Sequence, residues 1–166
     1  MGKLSENDLF SPATGILNAK DACIVIVKTE WNKEITDKLE ESCRSELKKY
    51  KVKKIMTITV PGAVEIPFAI RACWKSFSRK KRPAAFIALG CVIRGGTPHF
   101  DYVCKAVTDG IRQLNLMLPV PTVFGVLTVD SMQQALDRSG GQRGHKGTEA
   151  AVTALKMIVL NRSLKK

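Results

Sequence analysis

The chain has 166 residues, 45% of them hydrophobic and 25% charged, a balance that excludes a disordered or fibrous protein and fits one domain with its own core. No apolar stretch reaches membrane-spanning length, and the start, MGKLSENDLFSPATG, lacks the charged-then-apolar pattern of a secretory signal, so a cytoplasmic location is expected. Lys and Arg total 27 against 15 Asp and Glu, a net charge of +12, concentrated in two runs: Lys48 to Lys54 and Arg79 to Arg82.

Residues Met1 to Ala19 are polar and carry Pro12 and Gly15, which predicts an extended arm over 1–20 followed by a single α/β domain over 21–166. Ala22 to Val27 (ACIVIV) is a β-branched run and the first core strand. Asn32 is a fair N-cap for the next helix, which places Ile35, Leu39, Cys43 and Leu47 four apart on one side. Ile55 to Val60 is the second strand. Pro61-Gly62 breaks it, and Ala63-Val64-Glu65 lead into a helix with Ile66, Ile70, Cys73 and Phe77 as its apolar stripe.

Ala84 to Leu89 is the third strand, apolar throughout and so buried on both faces. Gly95-Gly96 and Thr97-Pro98 follow. Thr97 as N-cap and Pro98 at the first helical position predict a helix from Pro98 to about Leu116, with Val103, Val107, Ile111 and Leu114 inward. Unpaired N–H groups at that helix start suit a phosphate, and His99 stands three residues away as a candidate proton acceptor.

Pro119 and Pro121 end the helix. Val123 to Leu127 is the fourth strand. Asp130 is expected to cap a short helix, with Gln133 completing a capping box. Arg138 to Gly147 (RSGGQRGHKG) is a glycine-rich basic turn. A last helix over about Thr148 to Leu164 carries Ala151, Ala154, Leu155, Ile158 and Val159.

Strands alternating with helices give a parallel sheet with helices on both faces. Ligands collect beyond the carboxyl ends of such strands. That rule brings Trp31-Asn32, Pro61 to Glu65, Cys91 to His99 and Thr128 to one rim. The five cysteines are scattered without a C-x-x-C pair, which points to buried reduced thiols and gives a zinc site no support. The basic runs could serve nucleic acid, attract small anions or keep the protein dissolved. Only Tyr50 interleaves them, so base stacking has little support.

Seven motifs stand in order: Trp31-Asn32, PGAVEIP (61–67), GCVIRGGTPHF (90–100), FGVLT (124–128), QALDRSGG (134–141), Gly-His-Lys-Gly (144–147) and a terminal LNRS. From about Ala22 to Lys166 the chain resembles the lumazine synthase family, transferases of riboflavin biosynthesis. The resemblance implies a flavodoxin-like three-layer αβα sandwich around a four-stranded parallel sheet, with the N-terminal arm added to a neighbour's sheet. It implies a homopentamer or an icosahedral sixty-subunit shell. The shell is favoured because the turn between the last two helices carries no extra residues. Riboflavin synthase is a further expected partner, and neither a membrane nor a specific nucleic acid is.

The implied reaction condenses 5-amino-6-(D-ribitylamino)uracil with 3,4-dihydroxy-2-butanone 4-phosphate to 6,7-dimethyl-8-ribityllumazine, without metal or cofactor. Carried onto this chain, Trp31 would stack on the pyrimidine, and Asn32, Ala63, Val64 and Glu65 would hold the ribityl chain. Cys91, Val92 and Ile93 would offer main-chain groups to the uracil edge. Gly96 and Thr97 would bind the phosphate, with Arg138 reaching it from the adjacent subunit. His99 would move protons. Phe124 and Lys146 would come from the neighbour, Phe124 covering the ring. Many relatives have Phe at Val64 and Asn at His145. The alternative is a non-catalytic flavin- or lumazine-binding protein on the same scaffold, which has no need of both His99 and Arg138.

Overall fold

A computed structural model describes Ala19 and residues 21–165. The expected arm therefore lies outside the described residues, except that Ala19 is fully buried in the core. The strands are β1 (Cys23–Thr29), β2 (Lys54–Val60), β3 (Ala85–Ile93) and β4 (Thr122–Val129). The helices are α1 (Lys33–Lys49), α2 (Ile66–Ser76), α3 (His99–Met117), α4 (Met132–Arg138) and α5 (Lys146–Ser163). Short 3-10 turns fill Ala63–Glu65 and Arg79–Lys81.

The sheet runs β2-β1-β3-β4 and is parallel throughout, as the alternation of elements predicts. Strand alternation sends Ile24, Ile26, Ile87 and Leu89 to one face, where α1 and α5 cover them. Val25, Val27, Phe86 and Ala88 go to the other, under α2 and α3. This is the αβα sandwich with a flavodoxin-like plan. Each face supplies its own apolar cluster, which is why β1 and β3 carry no polar alternation.

The starts of α3 and α4 differ from expectation. α3 begins at His99 with Pro98 in the capping position, and no side chain caps it, so Thr97 is not its N-cap. α4 is capped by Ser131, whose Oγ accepts from the Gln134 N–H at 3.2 Å. Asp130 is instead drawn away, its Oδ1 accepting from Arg94 Nε at 2.8 Å.

The glycine-rich turn folds into a small antiparallel ribbon, β5 (Ser139–Gly141) and β6 (Gly144–His145). Gly140 and Gly144 have φ of 113° and 84°, the region that glycine enters without a Cβ penalty. α5 starts directly after it, two residues earlier than the pattern suggests. His145 Nδ1 lies 2.9 Å from Ser42 Oγ on α1, which ties the ribbon to that helix. Burial pushes the His145 imidazole below its usual range, and Arg138 adds to this while Glu149 and Glu41 oppose it. Beside it, a Cβ on Gly147 would fall inside contact distance of Leu39 O and Ser42 Oγ. Only glycine lets α5 approach α1 this closely.

Candidate active site

β3 outruns its neighbour β1. The β1 pairing ends at Lys28↔Leu89, while β3 continues to Ile93 along β4. The β1-side edge of Cys91 to Ile93 is therefore left open at the carboxyl end of the sheet. Alternation puts the peptide groups of Cys91 and Ile93 on that edge and those of Val92 toward β4. The Cys91 carbonyl accepts from the Asn32 side-chain amide at 2.8 Å, leaving the Ile93 groups open.

Asn32 sits at the N-cap position of α1, but it does not cap. Its backbone is left-handed, φ 56° and ψ 45°, a conformation Asn tolerates better than most residues. That turn throws the preceding Trp31 outward, where it is 72% exposed. Trp31 is thus no part of the core.

Around this edge lies a cleft of about 500 Å³ lined by Trp31, Asn32, Ala63, Val64, Glu65, Cys91, Val92, Ile93, Thr97 and His99. The rim expected from strand topology converges. Thr29, Gly62, Gly95, Phe100 and Val103 complete it; Gly62 and Gly95 belong to the rim segments expected from the sequence and Phe100 closes the 90–100 motif, whereas Thr29 is not expected there and Val103 is expected only on the inward face of its helix. Thr128 does not join this cleft and lines a second pocket.

On the 3-10 turn, the Glu65 Oε2 accepts from the Gly62 N–H at 3.0 Å, so one carboxylate oxygen supports the turn. Burial pushes the Cys91 thiol up to about 11, so it stays protonated near neutral pH and is no nucleophile. His99 is exposed in the first turn of α3.

The loop before α3 is held from outside. Arg94 pairs with Asp130 at 2.8 Å and with Asp101 at 3.2 Å, and its guanidinium lies 4.1 Å above the Phe100 ring. A Cβ added at Gly95 or Gly96 would meet nothing within 4 Å, and neither residue has a left-handed φ. The fold does not itself demand glycine at either position, so their bareness leaves room for a close approach. Gly96 is exposed beside the cleft and does not line it.

Phe124, Arg138 and Lys146 lie elsewhere. A pocket of about 310 Å³ beyond β4 is lined by Gln134, Arg138, Arg143 and Lys146 with Val126 to Val129. Phe124 and Lys146 share a third, beside α5. Glu149 is the common counter-ion here: Arg138 Nη2 donates to it at 2.9 Å and Lys146 Nζ at 3.4 Å. Burial would raise the Glu149 carboxyl, but Arg138 and Lys146 outweigh this and hold it below its usual range. Arg138 also donates to the Arg143 carbonyl, which locks the ribbon around it. Sequence reasoning missed both Glu149 and Arg143. Glu149 stands one helical turn from Lys146, and Arg143 is the second guanidinium of the turn.

A profile of the family described as 6,7-dimethyl-8-ribityllumazine synthase matches residues 21–162. A protein of that name from Parabacteroides distasonis is 50% identical over 157 residues, covering 93% of each chain. One from Phocaeicola vulgatus is 46% identical over 98% of this chain and 94% of its own. One from Cytophaga hutchinsonii is 44% identical over 93% of this chain and 96% of its own. None of these relatives bears a name that favours a non-catalytic binding protein. With the sandwich, the ordered motifs and near full-length identity in agreement, the chain belongs to the 6,7-dimethyl-8-ribityllumazine synthase family, transferases of riboflavin biosynthesis.

Proposed function

We propose that the cleft is one half of an active site completed by a second copy of the chain. There 5-amino-6-(D-ribitylamino)uracil would condense with 3,4-dihydroxy-2-butanone 4-phosphate. One observation carries this reading. The large cleft holds an indole, an open peptide edge and a histidine, but no Lys or Arg lines it. The pocket beyond β4 has three cations and no aromatic ring. A flat uracil and a phosphate-bearing ketone need both sets together.

In this reading Trp31 stacks on the pyrimidine, and the peptide groups of Ile93 meet its polar edge, those of Val92 being turned toward β4. The Cys91 carbonyl is already engaged by Asn32 and serves the loop. Asn32 keeps its Oδ1, and Glu65 its second carboxylate oxygen, for ribityl hydroxyls beside Ala63 and Val64. Gly96 and Thr97 receive the phosphate, and the partner copy's Arg138 and Lys146 neutralise it. Its Phe124 closes over the ring.

The chemistry is orientation with proton transfer. The uracil amine attacks the ketone carbonyl and water leaves as an imine forms. A proton then departs from the carbon skeleton and phosphate is expelled. Attack by the ribityl-bearing nitrogen closes the ring with loss of a second water. His99 is placed to accept and return those protons.

The free edge of β2, which pairs only with β1 among the described residues, would take the arm of a neighbour. Exposed Phe68, Tyr102, Leu116 and Met117 supply apolar surface for a pentamer and its shell. The free thiols suit the reducing cytoplasm. Light scattering on the purified protein measures the assembly.

The test of the shared site is complementation. His99→Ala and Arg138→Ala chains, each impaired alone, are unfolded together and refolded. Mixed assemblies then contain some sites with both residues intact, and turnover should exceed that of either parent. No gain on mixing would place the complete site in a single chain.

A further inference from the structure

The charge excess has no role in the cleft, whose lining holds no cation. It lies at the opposite end of the sheet. Lys54 on β2 pairs with Cys23 on β1, and the Cys23 carbonyl accepts from the Ala84 N–H just before β3. The two basic runs, far apart in sequence, therefore enter adjacent positions on either side of β1. Two strand spacings separate them, about 10 Å.

Lys48, Lys49, Lys51, Lys53, Lys54, Arg79, Lys80, Lys81 and Arg82 are all exposed there. Among the described residues only Lys49 has a carboxylate partner, Glu46 at 2.7 Å. Arg82 is held 4.5 Å over the Trp74 ring. Lys48 and Lys49 end α1, where cations offset the helix dipole, but the remaining cations have no such local reason.

We propose that this amino-end face binds the phosphodiester backbone of RNA without reading its sequence. A bilayer is disfavoured by the residues between the charges: Val52 and Pro83 are buried and Tyr50 and Phe77 half-buried, so no apolar side chain is free to insert. Base stacking is absent from the mode, because Trp74 is already covered by Arg82. About 10 Å of a single strand carries roughly three phosphates at the ~3.4 Å per-strand spacing, so one strand can meet both runs at once.

The experiment follows a labelled single-stranded RNA by fluorescence anisotropy on the full-length assembly, from about 50 mM NaCl upward. Two triple variants, K51Q/K53Q/K54Q and R79Q/K80Q/K81Q, are compared with K38Q/K105Q/R112Q, which removes equal charge elsewhere. Each patch variant should bind about tenfold or more weakly at low salt. Each should also flatten the slope of log K against log salt by about two, while turnover is unchanged. The control triple should retain most of the affinity. The proposal is overturned if RNA is not bound at low salt, or if the control triple loses as much as the patch variants. Binding to phosphatidylserine vesicles without binding to RNA would overturn it equally, in favour of a membrane.

Discussion

The Asn32 side-chain amide donates to the Cys91 carbonyl at 2.8 Å, joining residues fifty-nine positions apart. One hydrogen bond thus fixes the β1–α1 loop, with Trp31 on it, against the overhanging end of β3.

Asn32→Ala should lose that bond and keep the left-handed backbone, destabilising the fold by about 1–2 kcal/mol. Asn32→Gly relieves the backbone and should recover part of the loss. Both should raise the KM for the uracil substrate more than for the phosphate substrate. Thermal melting with steady-state kinetics checks this, and equal stability of the two variants would remove the backbone contribution.

His99→Ala should lower kcat by up to about a hundredfold, the low end of what a positioned proton carrier supplies, with the melting temperature unchanged. Arg138→Ala should act differently, raising KM for the phosphate substrate. A shift in the uracil KM alone would reassign Arg138.

Lys28, Arg44 and Thr57 surround Glu40, at 2.7, 2.8 and 2.6 Å. Burial would raise the Glu40 carboxyl, but these partners bring it from 4.5 down to about 2. A carboxyl lowered in the folded state gives stability that is complete above about 4.5 and is lost as pH falls through about 2. The melting temperature of the wild type should fall over that window. Glu40→Gln should start lower at neutral pH and vary less with acid, as calorimetry across pH would show.

Gly147→Ala forces a methyl into the Leu39 carbonyl and the Ser42 hydroxyl. The cost should reach or exceed the top of the ~1–3 kcal/mol typical of overpacking, because one neighbour is backbone. Chemical denaturation measures it. Pairing with Ser42→Ala should recover little, since the carbonyl remains.

The four strands were legible because β1 and β3, covered on both faces, are continuous β-branched and apolar runs bounded by turn residues. The end of β3 was not. Nothing in Gly90-Cys91-Val92-Ile93 marks a strand past a glycine; β4 holds it there through Val126 to Val129. Asn32 read correctly as the position before a helix, but its amide is claimed by a carbonyl that no local rule could foresee. Likewise Asp130 would cap α4 were Arg94 not beside it. The β5–β6 ribbon is too short and glycine-rich to show a period. Trp31, Glu65 and His99 were legible as one group from the strand-end rule. Glu149 was not, because an acid at a helix start needs no ligand to explain it.

The overhang of β3 has an evolutionary corollary. Under the proposed function, what it offers a flat ring is peptide hydrogen-bonding capacity, which no codon change short of proline can delete. The side chains of Cys91, Val92 and Ile93 pack on the two core clusters, so they can exchange among apolar residues of similar size while the pattern of donors and acceptors persists. Selectivity written in the main chain would outlast most point substitutions. Resistance to a ring-shaped inhibitor would have to arise at Trp31 or Glu65 instead.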